Sequence, residues 1–248
     1  MKYSVCIDAL FNGKDFQKSM KKVSDSGMNS MEFWSWWDKD IDSILVLKNE
    51  LEMEVTAFCT RFISLTDPSR REEYIRGLKE SILVAKSLDC KKLITQVGDE
   101  LTGISREEQH RSIVDGLKAC ISVLEKNDIT LVFEPLNTLV DHKGYYLSGS
   151  DEAFKIEEEV GSRYVKVLYD IYHQQITEGN IISTIEKNIE KIGHFHCAGI
   201  QGRHELDQGE LNYRYIFDAI DKTSYQGYMG LEYFPLREAT EGLEELQK

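Results

Sequence analysis

Along the chain, short runs rich in β-branched and aromatic residues alternate with longer stretches whose apolar positions recur at helical spacing. The runs are KYSVCID (2–8), NSMEFW (29–34), MEVTAF (53–58), KKLITQV (91–97), ITLVFEP (129–135), YVKVLYD (164–170), KIGHFHC (191–197) and GYMGLEY (227–233). Helices are expected near 14–27, 38–51, 69–88, 105–126, 150–160, 178–190, 212–222 and 236–247. Several carry end signals. Asp67-Pro68 ahead of RREE places a proline near a first helical position. Ser105 and Glu108 fit a capping box, and Ser150 is expected to cap the helix that holds Phe154 and Ile156.

Strands alternating with helices imply a parallel sheet and an α/β fold. Eight such units in 248 residues favour closure into a (β/α)8 TIM barrel, for which about 250 residues is usual. An open doubly wound sheet is the runner-up, but the Gly-rich turn it needs after the first strand is missing. With no linker or low-complexity segment, residues 1–248 are expected to form a single barrel domain.

Composition narrows the partners. No apolar run approaches the roughly 18 residues of a membrane span. The start MKYSVCIDAL reads as a strand rather than a signal peptide. Five cysteines (Cys6, Cys59, Cys90, Cys120, Cys197) without a CxxC pair argue against a disulfide framework or a thiolate zinc site. A cytoplasmic protein without membrane contact is expected. The net charge of −13 repels phosphate backbones, so no nucleic-acid partner is expected. A small anionic substrate is not excluded, because it responds to the local field of its pocket. A homo-oligomer is compatible with the sequence.

Barrel active sites lie at the carboxyl ends of the strands. Those ends carry Asp8, Glu32, Gln96, Glu134, Asp170, His196 and Glu232. Strand parity sets Glu134 opposite Phe133, His194 and His196 opposite Phe195 and Cys197, and Gly230 and Glu232 opposite Leu231. The polar set therefore converges on the barrel mouth. Each residue alone has a plainer reading, as a helix cap, a salt-bridge partner or a hydrogen-bonded core histidine. Four ionisable groups on four consecutive strands favour a metal site, because three close carboxylates repel one another and a divalent cation relieves the conflict. Two Glu, one Asp and one His form an oxygen-rich set that suits Mn²⁺ or Mg²⁺, with Co²⁺ or Zn²⁺ as alternatives. Trp34 of WSWW, Phe11 and Gln96 are candidate pocket walls, with loop packing as the alternative for the aromatic residues. His110 and His142 read as exposed.

FEPLN (133–137), LYDIYHQQ (168–175), IGHFHCAG (192–199), GRHELDQGELNY (202–213) and GLEYFP (230–235) resemble the hydroxypyruvate isomerase family. That family lies within the xylose isomerase-like barrel superfamily, with tagatose 3-epimerases as cousins. The resemblance is strongest over 129–235. It implies that Glu134, Asp170, His196 and Glu232 bind a divalent metal and that Glu134 and Glu232 double as the acid/base pair. It also implies that His173 and Arg203 contact substrate, with Glu205 in the substrate site orienting Arg203 or His204. A surface salt bridge from Arg203 to Glu205 or Asp207 is the plain alternative. This chain departs from the family pattern at His196, where hydroxypyruvate isomerases often carry Gln. It departs again at Leu206-Asp207, which replaces Pro-Gly.

The implied reaction isomerises a small hydroxy-carbonyl compound through a cis-enediolate, with hydroxypyruvate and tartronate semialdehyde as the substrate pair. A ketose 3-epimerase of tagatose or psicose type is the alternative, and a polyol dehydratase shares the chemistry. More distant readings are an apurinic endonuclease, which needs several zinc ions and more histidines, and a non-catalytic sugar-binding barrel.

Overall fold

The computed structural model describes residues 1–13 and 15–246. Eight parallel strands close in sequence order: β1 (Lys2–Cys6), β2 (Ser30–Phe33), β3 (Glu54–Cys59), β4 (Lys92–Thr95), β5 (Thr130–Phe133), β6 (Val165–Asp170), β7 (Ile192–Cys197) and β8 (Tyr228–Leu231). β8 returns to β1 through the pairs Lys2–Tyr228 to Val5–Leu231. The helices around them are α1 (Ile7–Leu10), α2 (Phe16–Asp25), α3 (Ile41–Glu50), α4 (Arg71–Ser87), α5 (Arg106–Asn127), α6 (Ser150–Val160), α7 (Ile171–Thr177), α8 (Ile181–Asn188), α9 (Tyr213–Asp221) and α10 (Ala239–Glu245).

Alternation along each strand divides the apolar residues into two cores. Phe133, Phe195, Cys197 and Leu231 face outward and join the large cluster between sheet and helices. Ala57, Cys59, Ile94, Val132 and Leu168 fill the barrel interior. The parity inferred from sequence is thus the observed one, and it puts Glu32, Lys92, Glu134, Asp170, His194, His196 and Glu232 on the inward side. All five cysteines are buried and free. No helix among the described residues is long and apolar enough to cross a membrane.

The ends differ from expectation in instructive ways. Ser105 and Glu108 form the full capping box of α5. Asp67 caps a 3₁₀ turn at Pro68–Arg70 that leads into α4. Ser150 does not cap α6: Gly149 holds that position, and the Ser150 hydroxyl instead donates to Glu178. β1 ends at Cys6 rather than residue 8 because the chain enters α1. Asp8 therefore leaves the barrel mouth, accepts from the Trp34 amide at 2.7 Å and pairs with Lys39 at 3.0 Å. α7 was not expected as a helix. It forms because Asp170, while ending β6, also accepts from the Tyr172 amide at 2.8 Å as its N-cap. The helix expected at 14–27 runs Phe16–Asp25, and its first expected residue, like the last of 236–247, lies outside the described residues.

Candidate active site

At the carboxyl end of the barrel, β5 to β8 deliver Glu134, Asp170, His196 and Glu232 to one floor. Each offers a ligand atom, and these atoms all lie within 4.8 Å of one another. Backbone bonds fix their height: the Glu134 amide donates to Thr95 O at 3.3 Å, and the Glu232 amide to Cys197 O at 3.2 Å. All four side chains are buried. His196 Nδ1 lies 3.1 Å from Glu232 Oε2 and 3.7 Å from Glu134 Oε1, while its Nε2 lies 3.3 Å from Glu32 Oε1.

Positive charge is short here. Four buried carboxylates (Glu32, Glu134, Asp170 and Glu232) converge with Arg203 and His196. Arg203 donates to Asp170 Oδ2 at 3.2 Å and also to Glu232, which takes the Trp34 indole N–H as well. Burial opposes the charge on Glu232, but Arg203 and His196 prevail and hold its pKa below the usual carboxylate range. For Glu134 burial wins: with Glu232 and Asp170 it outweighs the pull of His196 and Arg203 and raises the pKa. Asp170 is raised by burial despite Arg203 and His196. Burial disfavours the His196 cation, yet Glu232 and Glu32 outweigh it and raise the pKa well above the imidazole norm. Glu134 Oε1, His173 Nε2 and both His196 ring nitrogens are buried without hydrogen-bond partners. Of these, His196 Nδ1 and Glu134 Oε1 face each other 3.7 Å apart beside Glu232, an arrangement with carboxylates in excess that a divalent cation would satisfy.

Above this floor opens a cavity of about 680 Å³. Trp34 and Gln96 line it, as expected, and so do His173 and Arg203. His173 Nδ1 accepts from the Asn137 amide at 3.3 Å and contacts Asn137 Nδ2 at 2.7 Å. A backbone N–H can only donate, so the ring proton sits on Nε2, which points at Asp170 Oδ2 3.5 Å away. Arg203 holds a left-handed backbone, φ 60°, fixed by the Phe234 amide donating to its carbonyl at 2.7 Å. Its Nη1 has no hydrogen-bond partner among the described residues.

Three expectations are corrected. Phe11 is not a pocket wall: with β1 shortened, it follows α1 into the outer core, where Lys22 Nζ lies 6.0 Å from its ring centre. Glu205 does not enter the cavity. Its carboxylate accepts from the Leu236 and Arg237 amides at 3.0 and 3.1 Å, anchoring the loop after β8, and it orients neither Arg203 nor His204. His142 is not simply exposed; it lines the cavity, with its ring 5.3 Å from that of His173. Trp36 and Trp37 do not line the cavity; they pack edge to face on each other, Trp36 donating to Ser81 of α4 at 3.0 Å.

Glycine makes room in this floor. A Cβ on Gly230 would stand 2.1 Å from Glu32 Oε1 and 2.5 Å from His196 Cδ2. Gly230→Ala is expected to lower the unfolding free energy by about 1–3 kcal/mol through overpacking, measured by denaturant titration. An unchanged midpoint would show that Glu32 can move aside freely.

Residues 20–248 match the family model described as xylose isomerase-like TIM barrel. The hydroxypyruvate isomerase of Escherichia coli K12 is 33% identical, over 98% of this chain and 97% of its own length. A 2-oxo-tetronate isomerase of Cupriavidus necator is 43% identical over 71% of this chain and 67% of its own. Among solved structures, one described as an AP endonuclease, family 2, from Brucella melitensis superposes with a TM-score of 0.93 at 26% identity, covering 99% of this chain and 98% of that one.

Proposed function

The chain belongs to the xylose isomerase-like TIM barrel family and is an isomerase of a small molecule, and we propose that its substrate is a short 2-oxo acid, hydroxypyruvate before others, interconverted with tartronate semialdehyde. The observation that carries this reading is the convergence of Glu134 and Glu232, from strands three apart, on one buried floor beside an arginine.

Isomerisation removes a proton from the carbon next to a carbonyl and returns one to the neighbouring carbon, the former carbonyl carbon, through a cis-enediolate. One of Glu134 and Glu232 takes the first proton and the other delivers the second. The proton that must also pass between the two oxygens is assigned to His173, whose Nε2–H, aimed by Asn137, would give its proton to one oxygen as it takes that of the other. Glu134, Asp170, His196 and Glu232 would hold a divalent cation, Mn²⁺ or Mg²⁺ before Co²⁺ or Zn²⁺. When bound, it would supply neutralisation of the charge that develops on the carbonyl oxygen. A single histidine in that donor set and a net charge of −13 argue against a phosphodiester substrate.

Arg203 decides between an acid and a neutral ketose. With Nε and Nη2 held by Glu232 and Asp170, Nη1 is left to offer a carboxylate a charge-assisted contact worth roughly 1.5–3 kcal/mol. Arg203→Ala is therefore expected to lower kcat/KM for hydroxypyruvate by about 10- to 150-fold. Lys recovers part of the loss, keeping the charge that Asp170 and Glu232 need but not the fork. A ketohexose loses less, and there Lys nearly suffices. The test is proton exchange at the carbon next to the carbonyl, followed by NMR in deuterated buffer. If the wild type epimerises a ketohexose and neither binds hydroxypyruvate nor exchanges its protons, the acid reading is wrong and the 3-epimerase takes its place.

A further inference from the structure

Beneath the converging donors lies a second buried chain of ionisable groups that the reaction does not use. Lys92 of β4 approaches His194 Nδ1 at 3.2 Å, His194 Nε2 lies 2.8 Å from Glu32 Oε2, and Glu32 Oε1 lies 3.3 Å from His196 Nε2. Glu32 and both histidines are buried, and Gly230 leaves the space in which the Glu32 carboxylate stands. Glu32, His194 and His196 also satisfy the distances of a metal cluster. A second cation does not suit them. The 2.8 Å between Glu32 and His194 is a direct hydrogen bond, and the ammonium on the far side of His194 repels a cation.

The donors and acceptors of this chain can be placed one after another. The Lys92 ammonium only donates, so His194 Nδ1 accepts and the His194 proton sits on Nε2. That N–H donates to Glu32 Oε2. Glu32 Oε1 and His196 Nε2 face each other at 3.3 Å, neither making a hydrogen bond in the present geometry, and closing that contact directs the Nδ1 lone pair of His196 at Glu232 and Glu134. We propose that Glu32 is a positioning residue that fixes His196 in its Nε2–H tautomer with Nδ1 turned to the metal, and that Lys92, through His194, fixes Glu32. The inference rests on the metal reading given above. Partners that hold a ligating histidine in this way are generally worth 10–100-fold in metal affinity.

The arrangement makes an unusual demand on glutamine. In Glu32→Gln, Lys92 still forces His194 to donate, so the amide carbonyl must face His194 and the amide N–H must face His196. His196 then accepts at Nε2 and carries its proton on Nδ1, where it blocks the metal. The expected result is a rise of about 10- to 100-fold in the Mn²⁺ dissociation constant, measured by EPR of free Mn²⁺. At a Mg²⁺ concentration that just saturates the wild type, ¹⁵N-histidine labelling shows Nε2–H for His196 in the wild type and proton on Nδ1 in the variant, which stays unloaded. Adding Lys92→Met frees His194 to accept, lets the amide reverse, and is expected to restore most of the lost affinity. A purely structural fault would instead be worsened by the second substitution. Thermal unfolding of the metal-free proteins confirms that each variant is folded. If wild type binds Mn²⁺ and Glu32→Gln binds it within about threefold, or if Lys92→Met restores nothing, the role of Glu32 is refuted and the metal site stands. If wild type binds no Mn²⁺, the metal reading itself falls.

Discussion

Replacing Glu134 or Glu232 with Gln is expected to lower kcat by at least about 100-fold, and by up to about 10⁴-fold, with the protein still folded. Gln keeps the size of the side chain and one acceptor oxygen but can neither take up nor deliver the proton that isomerisation moves. Metal-free stability should separate the two variants. Glu232 has a folded pKa below its usual value because Arg203 and His196 favour its ionised form, although burial opposes it. It therefore contributes stability above its unfolded pKa that is lost as pH falls, and Glu232→Gln forfeits this at neutral pH. Glu134 has a raised folded pKa, set chiefly by burial. Its stability contribution is complete at low pH and is lost as pH rises through that raised value, so Glu134→Gln is at least as stable as wild type at neutral pH and above. Chemical denaturation across pH checks the contrast. Turnover near the wild-type rate at matched metal occupancy would remove the substituted residue from the reaction.

The barrel and its floor were legible because both follow from periodicity. Strand parity put Glu134, Asp170, His196 and Glu232 on one face with no knowledge of the closed sheet. Loops lack such a period, and the misplacements fall there. Phe11 follows a strand that ends two residues early and is carried into the outer core. Glu205 is two residues from Arg203 in sequence, yet its carboxylate serves the amides of residues 236 and 237 in another loop. His142 sits among polar residues in a turn, and only the return of α7 beneath it puts it against His173. α7 escaped notice because seven residues are too few to show an amphipathic stripe. Lys92 gave a visible signal, a lysine on the inward parity of a buried strand. Its meaning depends on Glu32 and His194, from β2 and β7, which meet it only when the barrel closes.

Removal of metal is expected to abolish turnover, and added Mn²⁺ or Mg²⁺ to restore it. The floor holds four buried carboxylates against Arg203, His196 and, behind His194, Lys92, and the unmatched negative charge cannot persist in a low-dielectric space. Protons make up the difference in the metal-free protein: His196 is kept protonated by Glu232 and Glu32 in spite of burial, and the Glu134 pKa is raised, chiefly by burial. A cation bound at this floor takes the place of those protons, because ligation requires neutral imidazole and ionised carboxylate. Binding must therefore release protons at neutral pH. The sign follows: affinity falls as pH is lowered, where the proton on His196 competes, and rises through neutrality as the raised pKa values are approached. Calorimetric titration of Mn²⁺ into metal-free protein, in two buffers of different ionisation enthalpy, counts the protons released. Charge stabilisation by the cation is worth several kcal/mol, so its loss should cost about 10³-fold or more in rate at 1.4 kcal/mol per decade. Full turnover after exhaustive chelation, with metal content verified by atomic absorption, would leave the four converging side chains without the role proposed for them. Mn²⁺ binding without proton release would place the ion somewhere other than on His196 and Glu134.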